Sequence, residues 1–161
     1  MRYVIFDSKR AVKMKTFYIS VSLLFSVLSS FTHAESLTGT WKQIDDKTGS
    51  SKAIIEIRQE KNDTYTAKII KITPRPGYTP QEKCVNCPKP YTNKPILGMD
   101  ILKGLKYVGN NSYSGGTIID PLTGKLYKTN AKLSKSKNRL TIRGFLGVSA
   151  LGRSQTWIKE N

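Results

Sequence analysis

Lys125-Leu126-Tyr127-Lys128-Thr129-Asn130-Ala131-Lys132-Leu133-Ser134-Lys135-Ser136-Lys137-Asn138-Arg139-Leu140-Thr141-Ile142-Arg143 decides the fold class. Tyr127, Thr129, Ala131 and Leu133 alternate with polar residues that include Lys128 and Lys132, and Leu140 and Ile142 alternate with Arg139, Thr141 and Arg143. Successive side chains of a strand point to opposite faces, so each run has one apolar face and one charged face. Ser134 to Asn138 between them is turn chemistry, and the whole stretch reads as a β-hairpin with its lysines in solvent.

The same rhythm extends outward in both directions. Short β-branched or aromatic runs occur at Thr40 to Asp45, Ala53 to Gln59, Tyr65 to Ile72, Pro95 to Leu102, Leu105 to Val108, Tyr113 to Asp120, Lys125 to Leu133, Arg139 to Phe145 and Ser154 to Lys159. Asp46-Lys47-Thr48-Gly49, Lys61-Asn62-Asp63, Gly109-Asn110-Asn111 and Pro121-Leu122-Thr123-Gly124 separate them with residues that accept positive φ or are pre-bent. Gly115-Gly116 inside a strand pattern predicts a bulge or a barrel corner. No segment holds a long helical period; Ile96 to Leu105 has room for a turn or two, against Gly98 and Gly104. The expected fold is all-β, a small antiparallel up-and-down barrel of about eight to nine strands.

The N-terminus reads differently. Arg10, Lys13 and Lys15 precede an uncharged run from Phe17 to Phe31 that ends at Thr32-His33-Ala34, the pattern of a secretory signal peptide cut before Glu35. The expected organisation is therefore a signal peptide at 1–34 and one barrel domain at 35–161, with residues 1–13 upstream of a more usual start at Met14. The uncharged run is shorter than the roughly 20 residues that cross a bilayer, so no integral span is expected after cleavage. The product is expected in the periplasm or outside the cell.

Cleavage alters the available chemistry. The 161-residue chain has 27 Lys+Arg, 11 Asp+Glu and one His, a formal net charge of +16. Removing residues 1–34 leaves a strongly basic domain and takes away His33, the one histidine. Imidazole bases, Ser-His-Asp and Cys-His pairs and His-bearing zinc sites are then excluded, and no enzyme activity, metal or cofactor is expected. In the cytoplasm such charge with interleaved tyrosines would suggest nucleic acid; secretion removes that partner. Anionic envelope material, such as lipid head groups or acidic glycans, is the more reachable one, beside the plain reading of a solvated basic surface.

Thr73 to Lys94 breaks the strand rhythm with a proline-rich loop containing Cys84-Val85-Asn86-Cys87. In an oxidising compartment a local disulfide between Cys84 and Cys87 is favoured. A redox-active pair lacks the usual helix N-terminus, and a zinc knuckle lacks two ligands; an intermolecular disulfide is the remaining alternative. Asp45-Asp46 and Asp120 to Gly124 read as turns rather than as paired carboxylates or calcium ligands.

In the last run Arg153, Gln155 and Trp157 share one face. Arg153 is expected to cover Trp41 or Trp157 at the barrel floor or, if desolvated in the interior, to meet a carboxylate or an anionic ligand. Gly39-Thr40-Trp41 with Arg153 resembles the signature of lipocalin-type barrels, where a first-strand tryptophan packs beneath a last-strand arginine. The order Gly39-Thr40-Trp41-Lys42, Asp45-Asp46-Lys47-Thr48-Gly49, Cys84-x-x-Cys87, Pro95-Ile96-Leu97-Gly98-Met99-x-Ile101-Leu102, Gly115-Gly116-x-Ile118-x-Asp120-Pro121-x-x-Gly124-Lys125-x-Tyr127, Leu140-x-Ile142-Arg143-Gly144-x-x-Gly147 and Gly152-Arg153-Ser154-Gln155-Thr156-Trp157 closely resembles the bacterial family catalogued as domain of unknown function 2147. The resemblance runs from about Leu37 to Lys159. It implies a lipocalin-like barrel of Gram-negative envelopes and carries no catalytic residues.

Two functions follow as expectations. The first is a binding module whose mouth is covered by the 73–94 loop and whose cavity takes a small amphipathic or anionic envelope molecule, with Trp41, Tyr65, Tyr127, Arg143, Arg153, Gln155 and Trp157 as candidate contacts. The second is a surface or structural envelope protein that docks a partner protein or the cell wall through its basic face and the loop lysines Lys83, Lys89 and Lys94. An enzyme built on Asp, Glu, Lys, Tyr or the cysteine pair ranks last.

Overall fold

Eight strands follow one another in the computed structural model, which describes residues 36–160 apart from Arg75 and Tyr78. The signal-peptide reading of residues 1–34 lies outside the described residues. The strands are β1 (Gly39–Ile44), β2 (Ser51–Gln59), β3 (Thr64–Ile72), β4 (Asp100–Gly109), β5 (Ser112–Ile119), β6 (Leu126–Leu133), β7 (Arg139–Phe145) and β8 (Arg153–Lys159). Each pairs antiparallel with the next, and β8 returns to β1, which closes the barrel and leaves no sheet edge.

The turn residues act as their chemistry dictates. Asp45 accepts the backbone N–H groups of Lys47 and Thr48 at 2.9 and 3.0 Å, and Asp120 accepts that of Leu122 at 3.0 Å and the Thr123 hydroxyl at 2.9 Å. Asn110 and Asn111 take φ of 50° and 56° in the tight β4–β5 turn. Both adjacent-aspartate and Asp-Pro segments are therefore turns.

Two expected segments, Pro95 to Leu102 and Leu105 to Val108, are largely one strand. Residues 96–98 are bend and turn, and Gly104 at φ +78° forms a bulge in β4 instead of a break. Gly115 (φ +78°) gives β5 its own irregularity. At Gly116 a Cβ would lie 2.9 Å from Leu105 Cγ and 3.0 Å from Thr129 Cγ2, so the inside of this corner has room for hydrogen only.

The alternation seen in sequence sorts inside from outside. Tyr65, Ala67 and Ile69, then Thr129, Ala131 and Leu133, then Leu140 and Ile142 are buried, while Lys128, Lys132 and Arg139 are exposed or half-exposed. The floor of the barrel is packed by Leu37, Trp41, Tyr65, Leu105, Tyr113, Leu133, Leu140 and Trp157. Tyr65 and Tyr113 meet edge to face with centroids 5.6 Å apart, and Tyr107 flanks Tyr113 at 5.4 Å. On the outer wall Arg58 of β2 forks onto Asp100 of β4 at 2.8 and 2.9 Å. That bond holds the Asp100 carboxyl below its usual range.

Candidate functional site

Four connections gather at one end of an up-and-down barrel and the remaining turns and termini at the other. Residues 45–50, 73–99, 120–125 and 146–152 form the open end; 60–63, 110–111, 134–138 and the chain near Leu37 and Lys159 form the closed one. Between the packed floor and the open end lies a cavity of about 470 Å³. Ile69, Ile101, Ile118, Ile119 and Ile142 line its wall, with Tyr127 beside them. Gln43, Gln155, Arg153 and Asp120 supply its polar groups, and Leu146 and Leu151 stand at its rim.

The polar side has a simple origin in β1 and β8. Trp41 and Gln43 share the inner face of β1, as do Trp157, Gln155 and Arg153 on β8. Climbing either strand by steps of two passes from the sealed floor to the cavity. The β1–β8 ladder comprises only Trp41–Lys159, Lys42–Ile158 and Gln43–Trp157. Above it the strands are joined by side chains: the Gln43 amide donates to the Gln155 carbonyl at 2.8 Å, and Arg153 Nη2 stands 3.8 Å from Asp46 Oδ2. The cavity thus adjoins the one seam where backbone pairing is short.

Arg153 is 73% exposed at the side chain and sits at the open end. The expectation that it covers Trp41 or Trp157 is corrected by register. Six residues of strand separate Arg153 from Lys159, about 20 Å, and it is Lys159 that pairs with Trp41 and holds its ammonium 5.7 Å from the indole ring. The residue over the first-strand tryptophan is therefore a lysine, where the resemblance to lipocalin-type barrels implies an arginine.

The structure brings Tyr127, Arg153 and Gln155 together around the cavity and leaves the other candidates elsewhere. Trp41, Tyr65 and Trp157 are sealed in the floor, with Trp41 Nε1 donating to the Leu37 carbonyl at 2.9 Å. Trp157 Nε1 is buried with no acceptor among the described residues. Arg143 faces outward and forks onto the β7–β8 connection and the start of β8: Nε donates to Ser149 O at 2.7 Å, Nη2 to Ala150 O at 2.8 Å and Nη1 to Ser154 Oγ at 2.9 Å. It holds in place the 3-10 turn Ser149–Leu151, of which Leu151 lines the cavity.

That connection stands where the 73–94 loop was expected. No described residue of 73–94 lines the cavity. Cys84 and Cys87 form a disulfide, both buried, and the loop is stitched by Cys84 N–H to Lys94 O, Asn93 N–H to Cys84 O and Ile96 N–H to Glu82 O. It rests on the β5–β6 connection, where Gly124 at φ +72° leaves so little space that a Cβ would collide with the Asn86 carbonyl. Lys83, Lys89 and Lys94 are exposed on it.

Sequence reasoning missed Gln43, Leu146, Leu151 and the five wall isoleucines. Gln43 was within reach, since it repeats at Trp41 + 2 what Gln155 shows at Trp157 − 2. The leucines of 146–152 carry no period, and nothing local says that this connection turns inward.

Residues 39–159 match a family described as "Uncharacterized protein conserved in bacteria (DUF2147)". The chain belongs to this family. Among solved structures it is similar to protein HP1028 from Helicobacter pylori, described as belonging to the lipocalin family, with 23% identity over 78% of this chain and 84% of that one and a TM-score of 0.64. That likeness is one of fold: a lipocalin-like barrel. No curated protein matches the chain.

Proposed function

We propose that this member of the DUF2147 family is a non-catalytic binding module of the bacterial envelope, exported to the periplasm, that holds one small amphipathic molecule with an anionic head. The reading is carried by the cavity itself, apolar below and polar at its opening. A volume of about 470 Å³ lies within the range of small-molecule sites. Isoleucines on four different strands favour an aliphatic body, which gains free energy in proportion to the apolar area it removes from water. At the opening, Arg153 supplies five donors and a permanent charge, and its pairing with Asp46 at 3.8 Å between exposed groups is weak enough for a ligand carboxylate or phosphate to replace. Tyr127 and the Gln43–Gln155 amide pair offer neutral hydrogen bonds between the two regions.

Native mass spectrometry of the protein purified from its own host tests this. The expected result is a bound molecule at one per chain, released on denaturation, with an acidic group and an aliphatic portion. Arg153→Ala weakens recapture of that molecule by about tenfold, the order of one charge-assisted hydrogen bond. Ile142→Trp, which fills the cavity, abolishes recapture. A chain that is always empty and takes up no such molecule sinks the proposal.

The exposed Lys83, Lys89 and Lys94 on a disulfide-held loop favour one second reading, docking to an anionic partner protein or the cell wall. Its mark is salt-sensitive binding that survives Arg153→Ala and is lost when those three lysines are neutralised.

A further inference from the structure

Large aliphatic side chains left in water are unevenly distributed over this barrel. Among the described residues nine are exposed, and Val85, Leu97, Leu122, Leu126, Leu146, Val148 and Leu151 lie in or beside the connections of the open end. Val108 alone marks the closed end, and Ile70 the wall. The densest stretch is Gly144 to Gly152, nine residues without a charge, from which Leu146, Val148 and Leu151 project 61–84% exposed. A soluble surface has no use for three such side chains on one short connection, especially one whose carbonyls Arg143 fixes with two hydrogen bonds.

Cations frame this apolar rim. Lys128 stands opposite Phe145 in the β6–β7 ladder, Lys125 directly precedes β6, and Arg143 and Arg153 flank the connection on either side. Two acids share this end, Asp120 held within its own turn and Asp46 beside Arg153. Aliphatic side chains ringed by Lys and Arg fit the interface of an anionic bilayer, where the first enter the acyl boundary and the second meet head groups.

We propose that the open end of the barrel docks on an anionic lipid surface through Leu122, Leu126, Leu146, Val148 and Leu151, with Lys125, Lys128, Arg143 and Arg153 at the head groups. Docked this way, the cavity opens toward the membrane, so an amphipathic ligand passes between bilayer and barrel without crossing water. The docking stands on the exposed rim and its cations; it does not require that the cavity be filled.

Flotation with vesicles of phosphatidylethanolamine and phosphatidylglycerol, against vesicles of phosphatidylcholine alone, tests the proposal on the protein as its host releases it. The expected result is binding to the anionic vesicles that weakens with salt. Val148→Asp and Leu122→Asp, neither of which lines the cavity, together lower the bound fraction at least tenfold, and Lys125→Glu with Lys128→Glu removes the preference for anionic lipid. Val108→Asp, equally exposed at the closed end, leaves flotation unchanged. Thermal melts of the variants confirm that each is folded. Loss of flotation by Val108→Asp to the same degree overturns the assignment of the open end. Equal binding to both vesicle types overturns the role of the cations. Self-association through the rim with no vesicle binding overturns the lipid partner in favour of a second copy. A barrel that floats yet never carries a ligand refutes the binding-module reading and leaves the docking intact.

Discussion

Trp41 and Trp157 are equally buried, on neighbouring strands, and their indole N–H groups differ in surroundings. The Trp41 indole N–H has an acceptor in Leu37 O, whereas that of Trp157 has none among the described residues. A buried donor without a partner costs its desolvation, and one with a partner recovers it. Trp41→Phe is therefore expected to destabilise the barrel by about 1 kcal/mol more than Trp157→Phe, measured by denaturant unfolding of both variants. Gly124 is the other residue whose identity is dictated by its position. Its positive φ and the Asn86 carbonyl that occupies the space of a Cβ predict that Gly124→Ala costs roughly 2–4 kcal/mol and detaches the disulfide loop from the β5–β6 connection. Hydrogen exchange across 80–95 reads the detachment. The glycine was visible in sequence as a turn residue; its second duty, making room for a loop almost forty residues away, was not.

The β7–β8 connection behaves as an element although it contains just one 3-10 turn. Arg143 serves its carbonyls with a planar fork that a lysine cannot reproduce. Arg143→Lys is expected to accelerate amide exchange in 149–152 by on the order of tenfold, while the strands of the barrel keep their protection. The β1–β2 hairpin has its own electrostatic anchor. Asp45 is held well below the ordinary carboxylate range, first by the Lys47 backbone N–H and then by the Lys52 ammonium, which lies 3.2 Å away. A carboxylate lowered in the folded state stabilises that state fully above its unfolded pKa, near 3.8, and ceases to do so as pH falls toward the folded value. Asp100, lowered by Arg58, acts in the same sense. Stability is thus expected to be flat above about pH 5 and to decline below about pH 4. Asp45→Asn and Asp100→Asn each flatten that decline, as thermal melts from about pH 2.5 to 7 will show. Hairpins of this kind are legible in sequence because each partner lies within a few residues of the other.

For the whole molecule, closure divides one continuous inner surface into a packed floor and an open cavity, and the two share the same strands. The all-β class, the antiparallel hairpins, the turns and the outward lysines were all determined by the sequence alone, because period-2 alternation and turn chemistry are local properties. The same reading put Arg153, Gln155 and Trp157 on one shared face and favoured the pairing of the two cysteines. Tertiary structure decided the rest. It made one strand, bent at Gly104, from most of two expected segments; it set Lys159 rather than Arg153 over Trp41; and it laid the 146–152 connection, not the 73–94 loop, at the cavity. Each of these depends on the height at which β8 meets β1 and on the tilt of strands around a closed barrel. Those quantities arise when residues more than a hundred positions apart pack together, and no window of sequence contains them.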